Sequence, residues 1–195
     1  MTSAGSPRPP GDRAGVSLLL LCGSLRAGSV NAAVLATAAR LAPGDATATI
    51  YGGMADLPHF NPDDDHEPLA PSVAALRVAV DEADAVLIST PEYAGSLPGS
   101  FKNLLDWTVG GSGLYEKPAG WINPSTIGGA RDTYHALRLV LDRAGATIIE
   151  AAAADIPVAR DRIGPDGVIV DDAIRGRVAE VVTALLAAAW QAKDA

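Results

Sequence analysis

The chain has 195 residues, of which 48% are hydrophobic, so it is long enough to bury the core of one domain without covalent cross-links. Its 15 Lys and Arg residues against 23 Asp and Glu residues give a net charge of −8, which argues against nucleic acid as the main ligand. The single cysteine excludes a disulfide framework, and the apolar runs are too short to span a bilayer.

The first 15 residues differ in composition from the rest of the chain. They are rich in Pro, Gly and small polar side chains, which predicts a disordered tail before one domain at 16–195. Arg8 and Arg13 precede the apolar run Val16–Cys22, so a secretory or lipoprotein signal is the competing interpretation. Cleavage there would detach the segment that the following loop needs as its strand. We therefore expect a soluble cytoplasmic protein that does not bind membranes.

Short apolar runs alternate with helical patterns along the rest of the chain. The predicted strands cover 16–22, 46–52, 84–90, 119–123 and 147–153. The predicted helices cover 29–41, a segment around 73–80, one from about Gly99 to Val109, one that ends near Gly145, and a long final one over 174–189. Strands that are apolar throughout indicate burial on both faces, so we expect a three-layer α/β sandwich with a parallel sheet. The stretch 58–71 is expected to be a surface loop with a solvated acidic run.

Ligands of such sheets bind at the carboxyl ends of the strands, so the loops after strands 1, 3 and 4 are the candidate sites. The first loop, GSLRAGSVN at 23–31, leads into a helix whose free N–H groups favour an anion. It carries four polar donors, Ser24, Arg26, Ser29 and Asn31. Neither GxxxxGK[ST] nor GxGxxG is present, so a phosphomonoester is the best-fitting ligand. For Ser29 alone, a simple helix N-cap is the alternative.

The loop after strand 3 reads STPEYAGSLPGSFKNLLDW and covers residues 89–107. Pro91 makes the exit from the strand rigid, and Gly95 lets the backbone approach a ligand closely. A planar heterocycle therefore fits against this loop, with Tyr93 packed on its ring. The alternatives are that Glu92 is a surface or interface acid and that Tyr93 is a packing residue.

Together the two loops resemble the NADPH-dependent FMN reductase family, flavodoxin-like proteins that include quinone, azo-dye and chromate reductases. The family pattern reads GSLRxxSxN after the first strand and PEYNxSxPGxLKNxxDW after the third, and the resemblance covers most of 16–160. It implies a flavodoxin-like sheet of five parallel strands in the order 2-1-3-4-5, with FMN as cofactor and NAD(P)H as co-substrate. It also implies that the FMN phosphate contacts Ser24, Arg26, Ser29 and Asn31. The ring and ribityl chain would lie along Pro91, Glu92, Tyr93, Ala94 and Gly95.

The sequence departs from the family pattern in two places. Ala94 stands where the family has Asn, which removes a polar side chain near the flavin but keeps the backbone N–H. The loop after strand 4 reads NPSTIGG in place of a Gly- and Ser-rich loop. Asn123, Ser125 and Thr126 are the candidate flavin contacts in that loop.

The resemblance implies an enzyme that passes a hydride from NAD(P)H through bound FMN to a small-molecule acceptor such as a quinone, azo compound or free flavin. Donor and acceptor would share one site, which predicts ping-pong kinetics. No acid–base side chain is obligatory for this chemistry, so neither a catalytic residue nor a metal is expected, and Cys22 is interpreted as inert core. A flavodoxin-type electron carrier and a non-catalytic protein of the same fold remain alternatives. The resemblance further implies a homodimer or homotetramer.

Overall fold

The computed structural model describes residues 15–111, 113–126 and 128–194. The expected disordered tail, residues 1–15, lies outside these ranges except for Gly15 and stays a prediction. Strands and α-helices alternate in the order β1 Val16–Cys22, α1 Val30–Leu41, β2 Ala46–Ile50, α2 Pro71–Asp81, β3 Ala85–Ser89, α3 Gly99–Trp107, β4 Pro118–Asn123, α4 Arg131–Arg143, β5 Thr147–Asp155 and α5 Asp172–Lys193. In the described part of the chain, no helix is both long and apolar enough to cross a membrane.

The strands form one parallel sheet in the order β2-β1-β3-β4-β5, as expected for the flavodoxin-like arrangement. Alternate side chains of β1 enter two separate cores. Leu18 and Leu20 pack in the cluster formed with α1 and α5, whereas Leu19 and Leu21 pack in the cluster formed with α2, α3 and α4. This two-sided burial explains why Leu18–Leu21 of β1 are all apolar, and it confirms the three-layer sandwich.

Two predictions for the chain between β2 and β4 need correction. Helix α3 ends at Trp107, and Val109 lies beyond it with 69% of its surface exposed. The acidic run in 58–71 is not wholly solvated, because Asp65 pairs with Arg77 at 2.6 Å and both side chains are largely buried. Arg77 also donates from Nε to the Trp107 carbonyl at 3.0 Å, which ties the loop to α2 and α3. A buried arginine with two partners on different elements fixes this loop in place.

The C-terminal half of segment 89–107 has a structural role. Asn103 accepts the Phe60 N–H at 2.7 Å and donates to the Pro58 carbonyl at 2.9 Å. The Trp107 indole N–H donates to the same carbonyl at 2.9 Å, and its ring meets Phe60 edge-on at 4.9 Å. These contacts hold segment 58–60 against α3, so Asn103 and Trp107 anchor a loop beside the site.

Candidate functional site

A cavity of about 690 Å³ opens at the carboxyl edge of the sheet, between the loops that follow β3, β4 and β5 and the start of α1. Half of the residues singled out from the sequence line it: Asn31, Pro91, Glu92, Asn123, Ser125 and Thr126. The other half lie in the loops after β1 and β3, next to this lining: Ser24, Arg26, Ser29, Tyr93, Ala94 and Gly95. The fold therefore brings the three candidate loops to one edge of the sheet, as the topology requires.

The start of α1 is uncapped. Ser29 occupies the N-cap position, but its side chain makes no capping hydrogen bond, and the first turn contains no acidic residue. Ser29 is nevertheless buried, with 5% of its surface exposed. The first-turn N–H groups and the positive end of the helix dipole therefore lack a compensating group from the helix itself. Ser29 therefore stands at the N-cap position, as the alternative interpretation has it, but does not make the side-chain hydrogen bond of an ordinary cap.

The loop after β1 is shaped by its own backbone and by β3. Ser24 Oγ accepts the Arg26 N–H at 3.3 Å, and Gly28 has a φ of 65°. A Cβ at Gly23 would lie 2.0 Å from the Thr90 hydroxyl oxygen, so only glycine lets the loop pack this closely on the end of β3. The Arg26 side chain is exposed and has no carboxylate within ion-pair distance among the described residues. Its charge is thus available to an anionic ligand.

A buried polar network joins the strand ends beneath the cavity. The Ser89 hydroxyl oxygen lies 2.9 Å from both Asn31 Oδ1 and the Ile122 carbonyl oxygen, either of which can accept its one hydrogen. The Tyr134 hydroxyl accepts the Thr90 N–H at 3.2 Å, and its one hydrogen can go to the Ile122 carbonyl at 2.9 Å or to the Thr90 carbonyl at 3.1 Å. Burial raises the pKa of the Tyr134 phenol above its ordinary value. The phenol is therefore a neutral cross-link between the ends of β3 and β4.

The loop after β3 forms a tight two-residue turn. Tyr93 and Ser96 exchange backbone hydrogen bonds at 3.0 and 3.1 Å, with Ala94 at φ 52° and Gly95 at φ 72° between them. Two left-handed residues in such a turn favour Asn-Gly or Gly-Gly, because Asn and Gly tolerate positive φ. Asn at position 94 of the family pattern thus has a conformational role, which Ala94 fulfils with strain. Tyr93 is 58% exposed, so it is not a packing residue of this chain and its ring is accessible.

The polar side chains of Glu92 and Asn123 fix the loops in which they lie. Glu92 Oε2 accepts the Thr133 N–H at 3.2 Å and thereby ties the β3 loop to the start of α4. Asn123 accepts the Ser125 N–H at 3.1 Å and donates to Asp155 Oδ1 at 2.8 Å, so it holds the β4 loop against the end of β5. Ser125 and Thr126 lie on the cavity wall beside them.

Comparison with known proteins decides between the flavodoxin-like families. The sequence model of the NADPH-dependent FMN reductase family matches residues 16–159. The chain belongs to this family. A quinone reductase of Escherichia coli strain K12 is 38% identical over 134 residues, which cover 65% of this chain and 69% of that protein. An NAD(P)H-dependent FMN reductase of Pseudomonas aeruginosa is 30% identical over 174 residues, which cover 87% of this chain and 93% of that protein.

A solved structure gives the same assignment. The flavoenzyme NAD(P)H:(acceptor) oxidoreductase of Paracoccus denitrificans superposes with a TM-score of 0.76 at 29% identity, over 88% of this chain and 98% of that one. The predicted family, fold and oxidoreductase class are confirmed. Flavin and NAD(P)H are the cofactor and donor of the family's chemistry.

Two residues of this NADPH-dependent FMN reductase family member were missed by sequence reasoning. Tyr134 lies on the apolar face of α4, where the periodicity predicts packing in the core. That periodicity does not indicate that a hydroxyl lies beneath the site. Arg160 follows β5, and its loop reaches the cavity because the Val158 N–H donates to the Pro124 carbonyl at 3.0 Å. An arginine five residues after the end of the last strand was the available signal, but the loop after β5 was not among the candidate loops.

Proposed function

We propose that this protein binds FMN at the carboxyl edge of its sheet and transfers electrons from NAD(P)H to small-molecule acceptors, with quinones as the main class. The observation that carries this proposal is the uncapped start of α1 beside the cavity. First-turn N–H groups that no side chain caps are free to bind a ligand acceptor in place of water. A phosphate monoester supplies it with the right charge.

The residues present fit the cofactor at both of its ends. The phosphate is assigned to Ser24, Arg26, Ser29 and Asn31, which surround the start of α1. The flavin ring and ribityl chain are assigned to the segment Pro91–Gly95 and to Asn123, Ser125 and Thr126. A Cβ built at Gly95 would meet no atom within 4 Å, so the turn leaves open space in which a flat ring can approach the backbone.

The bound flavin supplies the redox chemistry, and the protein supplies position and hydrogen bonds. If the flavin ring lies on the turn after β3, the backbone N–H groups of that turn are hydrogen-bond donors of fixed orientation. The network of Ser89, Tyr134 and Asn31 holds this turn and the α1 start in one relative position. Because these groups are neutral, the chain leaves the proton and charge balance of the reaction to the flavin and its substrates.

Quinones are proposed as acceptors because relatives from several organisms carry that activity in their names, the one from Escherichia coli among them. A flat, uncharged acceptor suits an open cavity between loops, and azo compounds and free flavins share that shape. Donor and acceptor would occupy the same face of the ring in turn, so the kinetics are expected to be ping-pong.

The proposal is tested by reconstitution of the purified protein with FMN. Titration should give a saturable absorbance change, NADPH should bleach the flavin, and a quinone should restore its colour. Arg26→Gln removes a charge-assisted contact worth about 1.5–3 kcal/mol, so the Kd for FMN should rise about 10-fold or more. Arg40→Gln, at the far end of α1, removes the same charge and should leave the Kd unchanged. Failure to bind FMN, or to oxidise NADPH when FMN is bound, would refute the proposal.

We also propose a homodimer that forms through the groove between α3 and α4. This groove has a volume of about 670 Å³ and is lined mainly by apolar side chains. Val109, Tyr115 and Leu139 at its rim are 69%, 66% and 54% exposed, which is a large apolar surface for a monomer. Asp106 on the α3 wall is already paired with Lys102 at 2.5 Å, so the exposed apolar rim is the observation that carries this proposal.

Sedimentation velocity tests this interface. Leu139→Glu should convert the dimer to a monomer, because it places a charge in the apolar surface. Val78→Glu is the matched control, since Val78 is 55% exposed on α2, away from the groove. A dimer that survives Leu139→Glu would exclude this surface.

A cytoplasmic location is part of the same proposal. NAD(P)H is supplied inside the cell, and a chain with a single cysteine gains no disulfide from an oxidising compartment. Fractionation of the producing organism, followed by detection with an antibody, should place the protein in the cytosolic fraction.

A further inference from the structure

The cavity at the carboxyl edge carries a cation that the flavin assignment does not use. Arg160 lines it from the loop that follows β5, and Val30 and Asn31 line it at the start of α1. Strands β3 and β4 lie between β1 and β5.

Arg160 forms no ion pair with the other charged side chains around this cavity. Glu92 is the other charged residue of the lining, and its carboxylate is engaged by the Thr133 N–H. Arg162, two residues further on, pairs with Asp171 at 3.2 Å and with Asp161 at 3.8 Å. Among the described residues, Arg160 has no carboxylate within 4.0 Å. In a chain of net charge −8, an exposed arginine without an acidic partner on a cavity wall is free to bind an anion.

The backbone that carries Arg160 is fixed on both sides. Before it, Val158 is 2% exposed and is held to the Pro124 carbonyl at 3.0 Å. After it, the Arg160 carbonyl accepts the Ile163 N–H at 3.2 Å, and Ile163 forms an antiparallel bridge with Ile169. The guanidinium group is therefore mounted on an ordered turn at a defined point of the cavity rim, which is what a specific contact requires.

We propose that Arg160 binds a phosphoryl group of the hydride donor, NAD(P)H. This inference rests on the proposed function. FMN has one phosphate, which is assigned to the start of α1, and quinone acceptors carry no phosphate. The nicotinamide dinucleotides carry a pyrophosphate, and NADPH has a further 2′-phosphate, so the donor is the substrate whose charge matches an arginine at the rim. The planar guanidinium presents two parallel donors that fit phosphate oxygens.

The test separates binding of the donor from the chemical step. Anaerobic stopped-flow reduction of the FMN-loaded protein gives a Kd for the dinucleotide and a limiting rate. Loss of one charge-assisted contact in Arg160→Gln should raise that Kd about 10-fold and leave the limiting rate within about twofold. Arg160→Lys should retain part of the affinity, and Arg40→Gln should behave as the wild type. An increase for NADPH alone assigns Arg160 to the 2′-phosphate, whereas equal increases for NADPH and NADH assign it to the pyrophosphate.

Two further measurements make the result decisive. Calorimetric titration of the FMN-loaded protein with NADP⁺ and NAD⁺, which cannot reduce the flavin, should show the same loss of affinity in Arg160→Gln. The Kd for FMN itself should not change. A wild type that NADPH does not bleach refutes the proposed function and, with it, this inference. A wild type that bleaches normally, with an unchanged donor Kd in Arg160→Gln, refutes the role of Arg160 alone. Weaker FMN binding in that variant would place Arg160 in the flavin site and overturn the inference.

Discussion

The Tyr134 hydroxyl offers a quantitative test of how the site is supported. It accepts the Thr90 N–H at 3.2 Å, and its one hydrogen can go to a carbonyl at the end of β3 or of β4. Tyr134→Phe keeps the ring and its packing and removes only these bonds. The Ile122 carbonyl keeps a partner, because the Ser89 hydroxyl lies 2.9 Å from it. The Thr90 N–H does not, and Thr90 is only 1% exposed.

The expected loss follows from the Thr90 backbone, whose N–H loses its partner and whose carbonyl loses the nearby phenol. A buried N–H without a partner costs about 1–3 kcal/mol, so Tyr134→Phe should lower the free energy of unfolding by about 2 kcal/mol. For a chain of this length, that change lowers Tm by about 4–8 °C. Tyr93 is 58% exposed and lies outside the proposed dimer groove, so in the FMN-free protein Tyr93→Phe removes a hydroxyl that water already solvates and should cost less than about 0.5 kcal/mol.

Urea denaturation and calorimetry of the two variants measure this difference. A double-mutant cycle with Ser89→Ala adds a second readout, because both hydroxyls can donate to the Ile122 carbonyl. The combined loss should exceed the sum of the single losses, since the double variant strips that carbonyl of both donors. A cost below 0.5 kcal/mol for Tyr134→Phe, or strict additivity, would refute this account of the network.

The pH dependence of stability follows from the same burial. The pKa of the Tyr134 phenol is raised in the folded state, so above about pH 10 the unfolded chain releases a proton that the folded chain retains. The free energy of unfolding should therefore fall with rising pH in that range, by up to about 1.4 kcal/mol per pH unit. The fall should be shallower in Tyr134→Phe, and equal slopes would contradict the assignment.

Three further changes test the local geometry. Ala94→Asn should raise stability by about 1 kcal/mol, because Ala94 holds a φ of 52° that asparagine tolerates better, and an unchanged Tm in calorimetry would contradict this. Burial raises the pKa of the Cys22 thiol, so its thiolate forms at higher pH than in the unfolded chain. Ellman's reagent at pH 8 should therefore react more slowly with native than with urea-unfolded protein, and equal rates would contradict the shift. Gly120→Ala places a Cβ 2.6 Å from the Ala152 carbonyl oxygen and should cost roughly 1–3 kcal/mol in urea denaturation. Gly176→Ala, in open space on α5, should gain about 0.5–1 kcal/mol, and similar effects of both changes would refute the packing argument.

The regular elements could be predicted because their signals are local. The run Val16–Cys22 is apolar except at Ser17, and its bounds as a strand are those of β1. The apolar spacing over 174–189 likewise lies within α5, where the residues at that spacing from Val178 to Ala189 are buried. The error at Val109 has a different origin. Its spacing from Leu105 is helical, but the Thr108 hydroxyl and N–H both bond the Leu105 carbonyl and end the helix first.

The site could be predicted in part. Composition and topology predict an anion site at the start of α1. In the structure, Ser29 and Asn31 lie at the start of that helix. What the sequence does not contain is whether a serine before a helix caps it. Whether the serine caps the helix depends on its side-chain rotamer and on any competing acceptor. The sequence around Ser29 is therefore the same whether the residue caps the helix or lies in a ligand site. The uncapped geometry is visible only in three dimensions.

Tyr134 shows why the floor of the site escapes sequence reasoning altogether. Its hydroxyl bonds backbone groups 44 residues and 12 residues away in the chain, at the ends of two other strands. Backbone groups have no residue identity, so no side-chain pattern marks them as partners. Periodicity assigns Tyr134 to the core, and the structure agrees, since it is 7% exposed. The same residue is thus core by its packing and part of the site's support by its hydroxyl.

Substitutions at such positions are therefore expected to alter flavin affinity without touching the flavin, and the FMN Kd of Tyr134→Phe measures this directly. A rise of several-fold supports the coupling of the network to the cofactor, and an unchanged Kd would limit Tyr134 to stability.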